Sequence, residues 1–414
     1  MRSPELIKRL EALVCTGSPG LYRVITFFTV GHVYSLAELG HVASSMAIAQ
    51  MAGYFTAIGW ATLILVRLPA AANGHAAVDA FYALASMAAI TTLAVTVGGI
   101  AVSLSNVFRF DVSAFLSLLW AWTAYQVARH YFVAHKRYRI AVMFDLALIS
   151  GSCLSLWLCE RWGVPSSFAL AIALGAIAMA MFVAVGLPSA GVRLRAFDTK
   201  GLQFGLTNFL SGGVALVLVP AATLMCGASF AGTLSLLASV TAVGILLPRA
   251  ISMAQLPELA KRRSAALSLD DTLRAMRRSI GWSNCAVLAI NVALVVGVTI
   301  WQVRDRSEWA TLIFVGIMLA VQCAVGMAGV VNSSVIMVFE RSREAARINL
   351  QTSALFAALC GCSVLYGGTN GFVALLVASI VVAALRNAMT AYDIRAVVAS
   401  YGLASRRGSD VATL

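Results

Sequence analysis

The sequence has 414 residues, of which 60% are hydrophobic and only 11% are charged. Soluble globular proteins carry about 25% charged residues, so this composition excludes a soluble protein and predicts an integral membrane protein. The formal net charge of +13 comes from basic residues spread over separate loops. Such a distribution is a membrane-topology signal, and we expect no nucleic-acid partner.

Twelve apolar segments are long enough to cross a bilayer, since a helical span needs roughly 20 mostly apolar residues. They cover residues 13–36, 40–66, 79–104, 112–134, 140–159, 165–188, 203–224, 229–253, 281–301, 309–338, 348–367 and 371–393. The segments are uniformly apolar, whereas barrel strands alternate between apolar and polar residues. The sequence therefore predicts an all-α integral membrane protein with about 12 transmembrane helices.

The basic residues orient these spans. With this segmentation, 22 of the 30 Lys and Arg residues fall on one side of the membrane, which the positive-inside rule makes cytoplasmic. Four fall on the other side, namely Arg109, Arg161, Arg304 and Arg306. Both termini are thus predicted to be cytoplasmic. The remaining four basic residues lie inside spans: Arg23, Arg129, Arg249 and Arg386.

The two halves of the chain correspond loosely in layout, with residues 35–55 resembling residues 226–246. This similarity predicts two six-helix lobes in the same orientation around a central cavity, a plan that recurs in transporters. The predicted organisation is an N-terminal lobe at 1–190, a cytoplasmic basic linker at 191–202, a C-terminal lobe at 203–395 and a cytoplasmic tail at 396–414.

Three features carry a resemblance to a known family. They are the twelve spans, the "ELG" turn at 38–40 with its counterpart "SFAG" at 229–232, and "LLPRAISMAQLPELAKR" at 246–262. This pattern resembles the multidrug/oligosaccharidyl-lipid/polysaccharide exporter superfamily, specifically its polysaccharide (O-antigen-type) flippase branch.

The resemblance implies a flippase of the bacterial inner membrane that works by alternating access. Its substrate would be an undecaprenyl-pyrophosphate-linked oligosaccharide repeat unit, moved from the cytoplasmic to the periplasmic leaflet for polysaccharide (exopolysaccharide) biosynthesis. The implied partners are this lipid-linked oligosaccharide, membrane lipids, and a polysaccharide polymerase with its export machinery.

Arg23 lies inside the first apolar segment, "GSPGLYRVITFFTVG" at 17–31, and two interpretations are open. Ser18 and Pro19 could begin the helix, so that Arg23 reaches back to the membrane surface. Alternatively, the span begins near Leu13 and directs Arg23 into a cavity. A charge at the centre of a span costs about 2.5–3.5 kcal/mol, so it usually has a partner or a purpose.

Other residues complete the predicted substrate site. Arg249 follows Pro248 in the eighth span, and the resemblance implies that arginines on spans one and eight hold the diphosphate. Trp122, Gln126 and Arg129 share one helical face in the fourth span, where a ring for stacking and donors for oxygen would suit a sugar phosphate. Arg129 could equally belong to the basic belt at the inner surface.

Asp145 in the fifth span is predicted to pair with an arginine of the loop "HKRYR" at 135–139. We predict no enzyme activity, no cofactor and no metal, because the chain has no phosphate-binding loop, no metal-ligand spacing and no large outer loop. Two alternatives stay open. One is a small-molecule exporter of the same superfamily, and the other is a membrane-embedded polysaccharide polymerase or transferase.

Overall fold

The computed structural model describes residues 3–105, 111–188, 197–265, 267–303, 305–339 and 341–411. Every regular element in these ranges is helical. The helices are α1 (Ser3–Val33), α2 (Leu36–Gly53), α3 (Gly59–Arg67), α4 (Gly74–Leu104), α5 (Val112–Ala134), α6 (Tyr138–Arg161), α7 (Ser166–Val185), α8 (Lys200–Gly212), α9 (Leu218–Cys226), α10 (Ala228–Val243), α11 (Leu246–Ser264), α12 (Asp270–Gln302), α13 (Trp309–Ala328), α14 (Val330–Val338), α15 (Ser342–Tyr366) and α16 (Gly368–Val411).

Several sequence predictions fall on residues outside these ranges. Arg109 and Arg304, both predicted to face outward, are not among the described residues, and neither are 191–196 of the predicted linker. The predicted tail is described as far as Val411, where it continues α16 without a break.

The predicted all-helical membrane fold is confirmed. Nine helical segments of the described chain are long and apolar enough to cross a membrane, and a tenth is a pair, α8 and residues 215–226, that meets at 67°. The predicted spans 13–36 and 112–134 lie on α1 and α5. These helices have 31 and 23 residues, but they are not among the nine segments selected by length and apolarity. They are the helices that carry Arg23 and Arg129. The twelve-span layout is compatible with the structure.

The contacts within the chain divide it into two units that meet between Leu236 and Leu237. In the first unit α5 packs against α7, α1 against α6, and α2 against α5. Helices α8 and α9 follow the predicted linker, yet they pack against α3 and α2 of this same unit. The division into two contact units, after Leu236, falls later in the chain than the predicted linker at 191–202. The two six-helix lobes therefore stay a prediction.

In the second unit, which begins at Leu237, α12 packs against α13, α13 against α16, and α15 against α16. One end of this unit has its own apolar cluster, which includes Leu259, Leu273, Met276, Val331 and Ile394. These side chains come from α11, α12, α14 and α16. The cluster fixes how those four helices approach each other, because buried side chains at native packing density leave little freedom to slide.

Candidate functional site

A small cavity in the first unit is enclosed by α1, α2, α5 and α7. Its lining residues are Pro19, Tyr22, Arg23, Thr26, Phe27, Met46, Gln50, Trp122 and Leu170. The five residues from α1 follow the helical spacing i, i+3, i+4, i+7 and i+8, so they form one continuous face. The cavity measures about 30 Å³, which is room for about two water molecules.

The course of α1 decides between the two interpretations of Arg23. The helix does not begin at Pro19, because it runs unbroken from Ser3 to Val33 with Pro19 inside it. The Ser18 hydroxyl donates to the Cys15 carbonyl oxygen and to Asp145, so it does not serve as the cap of a new helix. Arg23 therefore lies about two-thirds of the way along a long helix, where its side chain lines the cavity.

The Arg23 guanidinium has an unusual environment for a charged group. The Nε atom is buried and donates to no described residue, and no described carboxylate lies within ion-pair distance of the side chain. The guanidinium carbon stands 5.3 Å from the centre of the Phe27 ring. A cation over an aromatic face gains about 0.5–2 kcal/mol, which offsets only part of its desolvation. The group thus retains the capacity to bind an anion.

Trp122 and Gln50 add an aromatic face and an amide to the same cavity. The Trp122 ring packs so closely on Gly53 that a Cβ atom there would stand 3.2 Å from the indole nitrogen. Gly53 is followed by a single π-helical turn, Tyr54–Ile58, an irregularity that often occurs at functional sites. The indole N–H donates to no described residue, so it remains available to a ligand.

A buried ion pair lies beside this cavity and involves two more residues that the sequence singled out. Arg129 donates to the Asp145 carboxylate from Nε at 3.0 Å and from Nη2 at 2.9 Å. The Tyr125 hydroxyl donates to the same carboxylate at 2.5 Å, and Ser18 donates to its other oxygen. Arg129 also donates to the Cys15 carbonyl oxygen. The pair thus connects α1, α5 and α6.

The pairing of Asp145 corrects the sequence prediction. An arginine of the loop at 135–139 was expected, but Arg137 and Arg139 are exposed, whereas the Asp145 side chain is 1% exposed. Asp145 faces α1 and α5, so its partner is Arg129, whose side chain is 7% exposed. The predicted contribution of Arg129 to substrate binding stays a prediction. In this structure its Nε and Nη2 atoms donate to acceptors of the protein itself.

Two further predicted site residues lie elsewhere. Gln126 is buried on α5, 5% exposed, and does not line the cavity. Arg249 is exposed in the first turns of α11, in the second unit, and Pro248 precedes it near the start of that helix. Pro248 therefore belongs to the first turn of a new helix, where proline is tolerated. That Arg249 shares a substrate with Arg23 stays a prediction.

The structure also identifies lining residues that the sequence analysis missed. Tyr22, Thr26 and Phe27 surround Arg23 at helical spacing, and this pattern could have been found from the sequence once α1 was known to be continuous. Gln50 is the one side-chain amide in the predicted span 40–66, one turn after Met46. A polar residue of this kind inside a span usually faces the interior of the bundle.

Comparisons with known proteins find the fold but no close relative. No family model and no curated protein matches the chain. The solved structure of the MATE multidrug transporter DinF-BH matches with a TM-score of 0.64 at 14% identity, over 93% of this chain and 94% of that chain. An inward-facing multidrug resistance MATE family transporter of the MOP superfamily matches with a TM-score of 0.63 at 11% identity, over 96% and 98% of the two chains.

A third match is a MOP superfamily transporter from Pyrococcus furiosus, described by the reverse polarity of its binding pocket. Its TM-score is 0.56 at 13% identity, over 95% of both chains. Identities this low show the fold alone. The chain is therefore a multi-pass helical membrane protein with the fold of MATE transporters of the MOP superfamily, and the flippase branch stays a prediction.

Proposed function

We propose that this protein is a membrane transporter that exports small organic anions. One observation carries the proposal: among the described residues, the only charged group that lines the cavity of the first unit is Arg23, and no described carboxylate neutralises it. A partly buried guanidinium without a described counter-ion attracts anions and repels cations. Its planar fork matches a carboxylate or a phosphate bidentately and keeps its charge at every physiological pH.

The comparisons support this substrate class through the fold. The matching solved structures include multidrug transporters, so the same helical framework carries small molecules in other proteins. The description of the Pyrococcus furiosus transporter connects reverse pocket polarity with a different function. The same reasoning, from the charge of the pocket to the charge of the substrate, favours an anion here.

The size of the cavity limits what it holds in this conformation. About 30 Å³ is well below the roughly 300–1,000 Å³ of a typical ligand pocket. It accommodates the anionic group of a substrate, and the rest of the molecule requires α1, α2, α5 and α7 to separate. Such an opening is what an alternating-access cycle supplies.

A second candidate substrate is the undecaprenyl-pyrophosphate-linked oligosaccharide, with export across the bacterial inner membrane and both termini cytoplasmic. The observation in its favour is Trp122 in the same cavity as Arg23, since an indole ring stacks on a sugar while a guanidinium binds a phosphate. In this case the protein would act together with a polysaccharide polymerase and export machinery.

Ligand binding to the purified protein in phosphatidylcholine nanodiscs tests the proposal. The probes are carboxyfluorescein as an anion, ethidium as a cation, and a citronellyl-diphosphate disaccharide as a short lipid-linked sugar. We expect carboxyfluorescein to bind and Arg23→Gln to weaken it about tenfold or more, because a hydrogen bond to a charged group is worth about 1.5–3 kcal/mol. Arg139→Gln makes the same change of charge at an exposed position in the first turn of α6 and should bind normally.

The results of these binding experiments distinguish the two candidate substrates and can also refute the proposal. Displacement of carboxyfluorescein by the diphosphate sugar at lower concentration, with a loss in Trp122→Leu, would favour the lipid-linked oligosaccharide. Preference for ethidium, or equal binding by Arg23→Gln and Arg139→Gln, would refute anion recognition by Arg23.

A further inference from the structure

A second, larger cavity lies within the second unit, between α12, α14, α16 and the end of α13. Its volume is about 400 Å³, and its polar lining residues are Arg277, Asn284, Asn332 and Arg395. Gly281 of α12 lies between Arg277 and Asn284, and no atom lies within 4 Å of where its Cβ would be. The apolar side of the cavity is supplied by Ile280 and Val331, which belong to the apolar cluster of this unit.

The two arginines of this cavity differ from their neighbours in having no acidic partner among the described residues. Arg274, on the same helix as Arg277, pairs with Asp271 at 3.0 Å. Asp393, which lies two residues before Arg395 on α16, pairs with Arg347 at 3.1 Å. Acidic residues are therefore available on both helices, yet they serve other arginines. The cavity thus keeps two arginines, both exposed, that no described carboxylate neutralises.

Both arginines lie at the edge of the membrane-spanning part of their helices. Arg395 is the last residue of the span Gly368–Arg395. Arg277 lies in the basic first turns of α12, which end at Arg278, shortly before the apolar stretch that begins near Gly281. The phosphates of membrane lipids lie at this depth, and basic pockets between helices at that level bind anionic headgroups.

Asn284 adds an acceptor that the protein leaves unused. Its Nδ2 donates to the Ala324 carbonyl oxygen at 2.8 Å, which fixes the orientation of the amide. Its Oδ1 is buried and accepts no hydrogen bond from a described residue. A buried acceptor without a donor costs about 1–3 kcal/mol, so a ligand that brings a hydroxyl group gains by donating to it.

We propose that this cavity binds the headgroup of an anionic phospholipid. Arg277 and Arg395 hold the phosphate, a headgroup hydroxyl donates to Asn284, and the acyl chains remain in the surrounding bilayer. Free phosphate has the same negative charge but no acyl chains to hold it at the level of the lipid headgroups. A binding experiment therefore distinguishes a phospholipid from free phosphate. The inference does not depend on the proposed transport function, because it uses other residues in the other unit.

The experiment follows thermal unfolding of the full-length protein in a neutral detergent. The probes are dioctanoyl phosphatidylglycerol, dioctanoyl phosphatidylcholine and inorganic phosphate. We expect saturable stabilisation by phosphatidylglycerol, with an apparent Kd at least about tenfold lower than that for phosphatidylcholine, which has no net charge and no hydroxyl donor. Stabilisation by inorganic phosphate at similar concentration would assign the site to the free anion.

Two pairs of variants locate the site. Arg277→Gln/Arg395→Gln should raise the Kd about tenfold or more. Arg278→Gln/Arg343→Gln removes two arginines that are also exposed but do not line the cavity, and it should leave the Kd unchanged. Gly281→Leu should fill the cavity and block binding while both arginines remain. Gly297→Leu is its control, since Gly297 lies on the same helix with equally open surroundings.

Four results would overturn the proposal. They are stabilisation by inorganic phosphate at similar concentration, equal stabilisation by phosphatidylcholine and phosphatidylglycerol, an equal effect of the two arginine pairs, and binding by Gly281→Leu as tight as by Gly297→Leu. If the arginine variant of the cavity fails to fold, the glycine pair still decides the question.

Discussion

Gly40 of α2 and Gly232 of α10 lie directly against each other's helix. A Cβ atom on Gly40 would stand 1.9 Å from the Ala228 carbonyl oxygen, and one on Gly232 would stand 1.9 Å from the Leu36 carbonyl oxygen. The contact is reciprocal, because each glycine faces a carbonyl oxygen that lies one turn before the other glycine on the opposite helix. The two glycines close the motifs "ELG" at 38–40 and "SFAG" at 229–232, which the sequence identified as counterparts in the two halves.

The reciprocal glycine contact predicts sensitivity to a single methyl group. We expect Gly40→Ala and Gly232→Ala each to destabilise the protein by about 1–3 kcal/mol, since overpacking against backbone forces a shift of one helix. Thermal unfolding of the purified variants measures the effect. Gly175→Ala is the matched control, because a Cβ there has open surroundings, and it should unfold like the parent or slightly above it. Unchanged unfolding of both variants would contradict the close approach.

The Arg129–Asp145 pair predicts a loss of stability when either partner is removed. Asp145→Asn leaves Arg129 as an uncompensated buried charge, and breaking such a pair typically costs about 3–5 kcal/mol. The double variant Arg129→Met/Asp145→Leu should recover much of this loss, because two apolar side chains of similar volume leave no charge unpaired. Thermal unfolding of the three proteins is the measurement.

A structural function for this pair also predicts that transport per folded molecule changes little in the double variant. Transport normalised to folded protein separates this case from a functional one. A stable Asp145→Asn protein that has lost transport would show that the carboxylate takes part in the transport cycle.

Arg23 provides a test of geometry as well as charge. Arg23→Ala should reduce transport about tenfold or more at matched protein level, and Arg23→Lys should restore only part of it, because lysine keeps the charge but loses the bidentate fork. Arg249→Ala is expected to reduce transport as well if the second arginine shares the substrate. The readout is uptake of an anionic probe into inverted vesicles, together with polymer export from cells. Full transport by both Arg23 variants would exclude substrate binding by this residue.

The basic-residue asymmetry predicts topology. In a protein whose eight native cysteines are replaced, a cysteine at Ser307 should react with an impermeant maleimide added to intact cells, and a cysteine at Arg274 should not. Ser307 lies between α12 and α13, and Arg274 in the basic first turns of α12. Both side chains are exposed, so reactivity reports the side of the membrane. The opposite labelling pattern would invert the orientation.

The sequence by itself determined the class of the fold. Long apolar segments need helices in lipid, because only helices and closed barrels satisfy every backbone group there, and the structure has helices at all twelve predicted positions. The sequence also identified Arg23 and Trp122, since a charge inside a span and a ring near polar neighbours are visible in the amino acid order. The structure brings these two residues into one cavity.

Trp122, Gln126 and Arg129 share one face of α5, but only the tertiary structure decided which of them lines the cavity and which pairs with the protein itself. Helical spacing places the three on one side of α5, but the neighbours change along the helix. Trp122 meets the cavity, while Arg129, about two turns further along, meets Asp145 and the Cys15 carbonyl oxygen. Periodicity specifies which residues share a face. It carries no information about which neighbouring side chain occupies each level, and that neighbour decides whether an arginine binds a substrate or stabilises the fold.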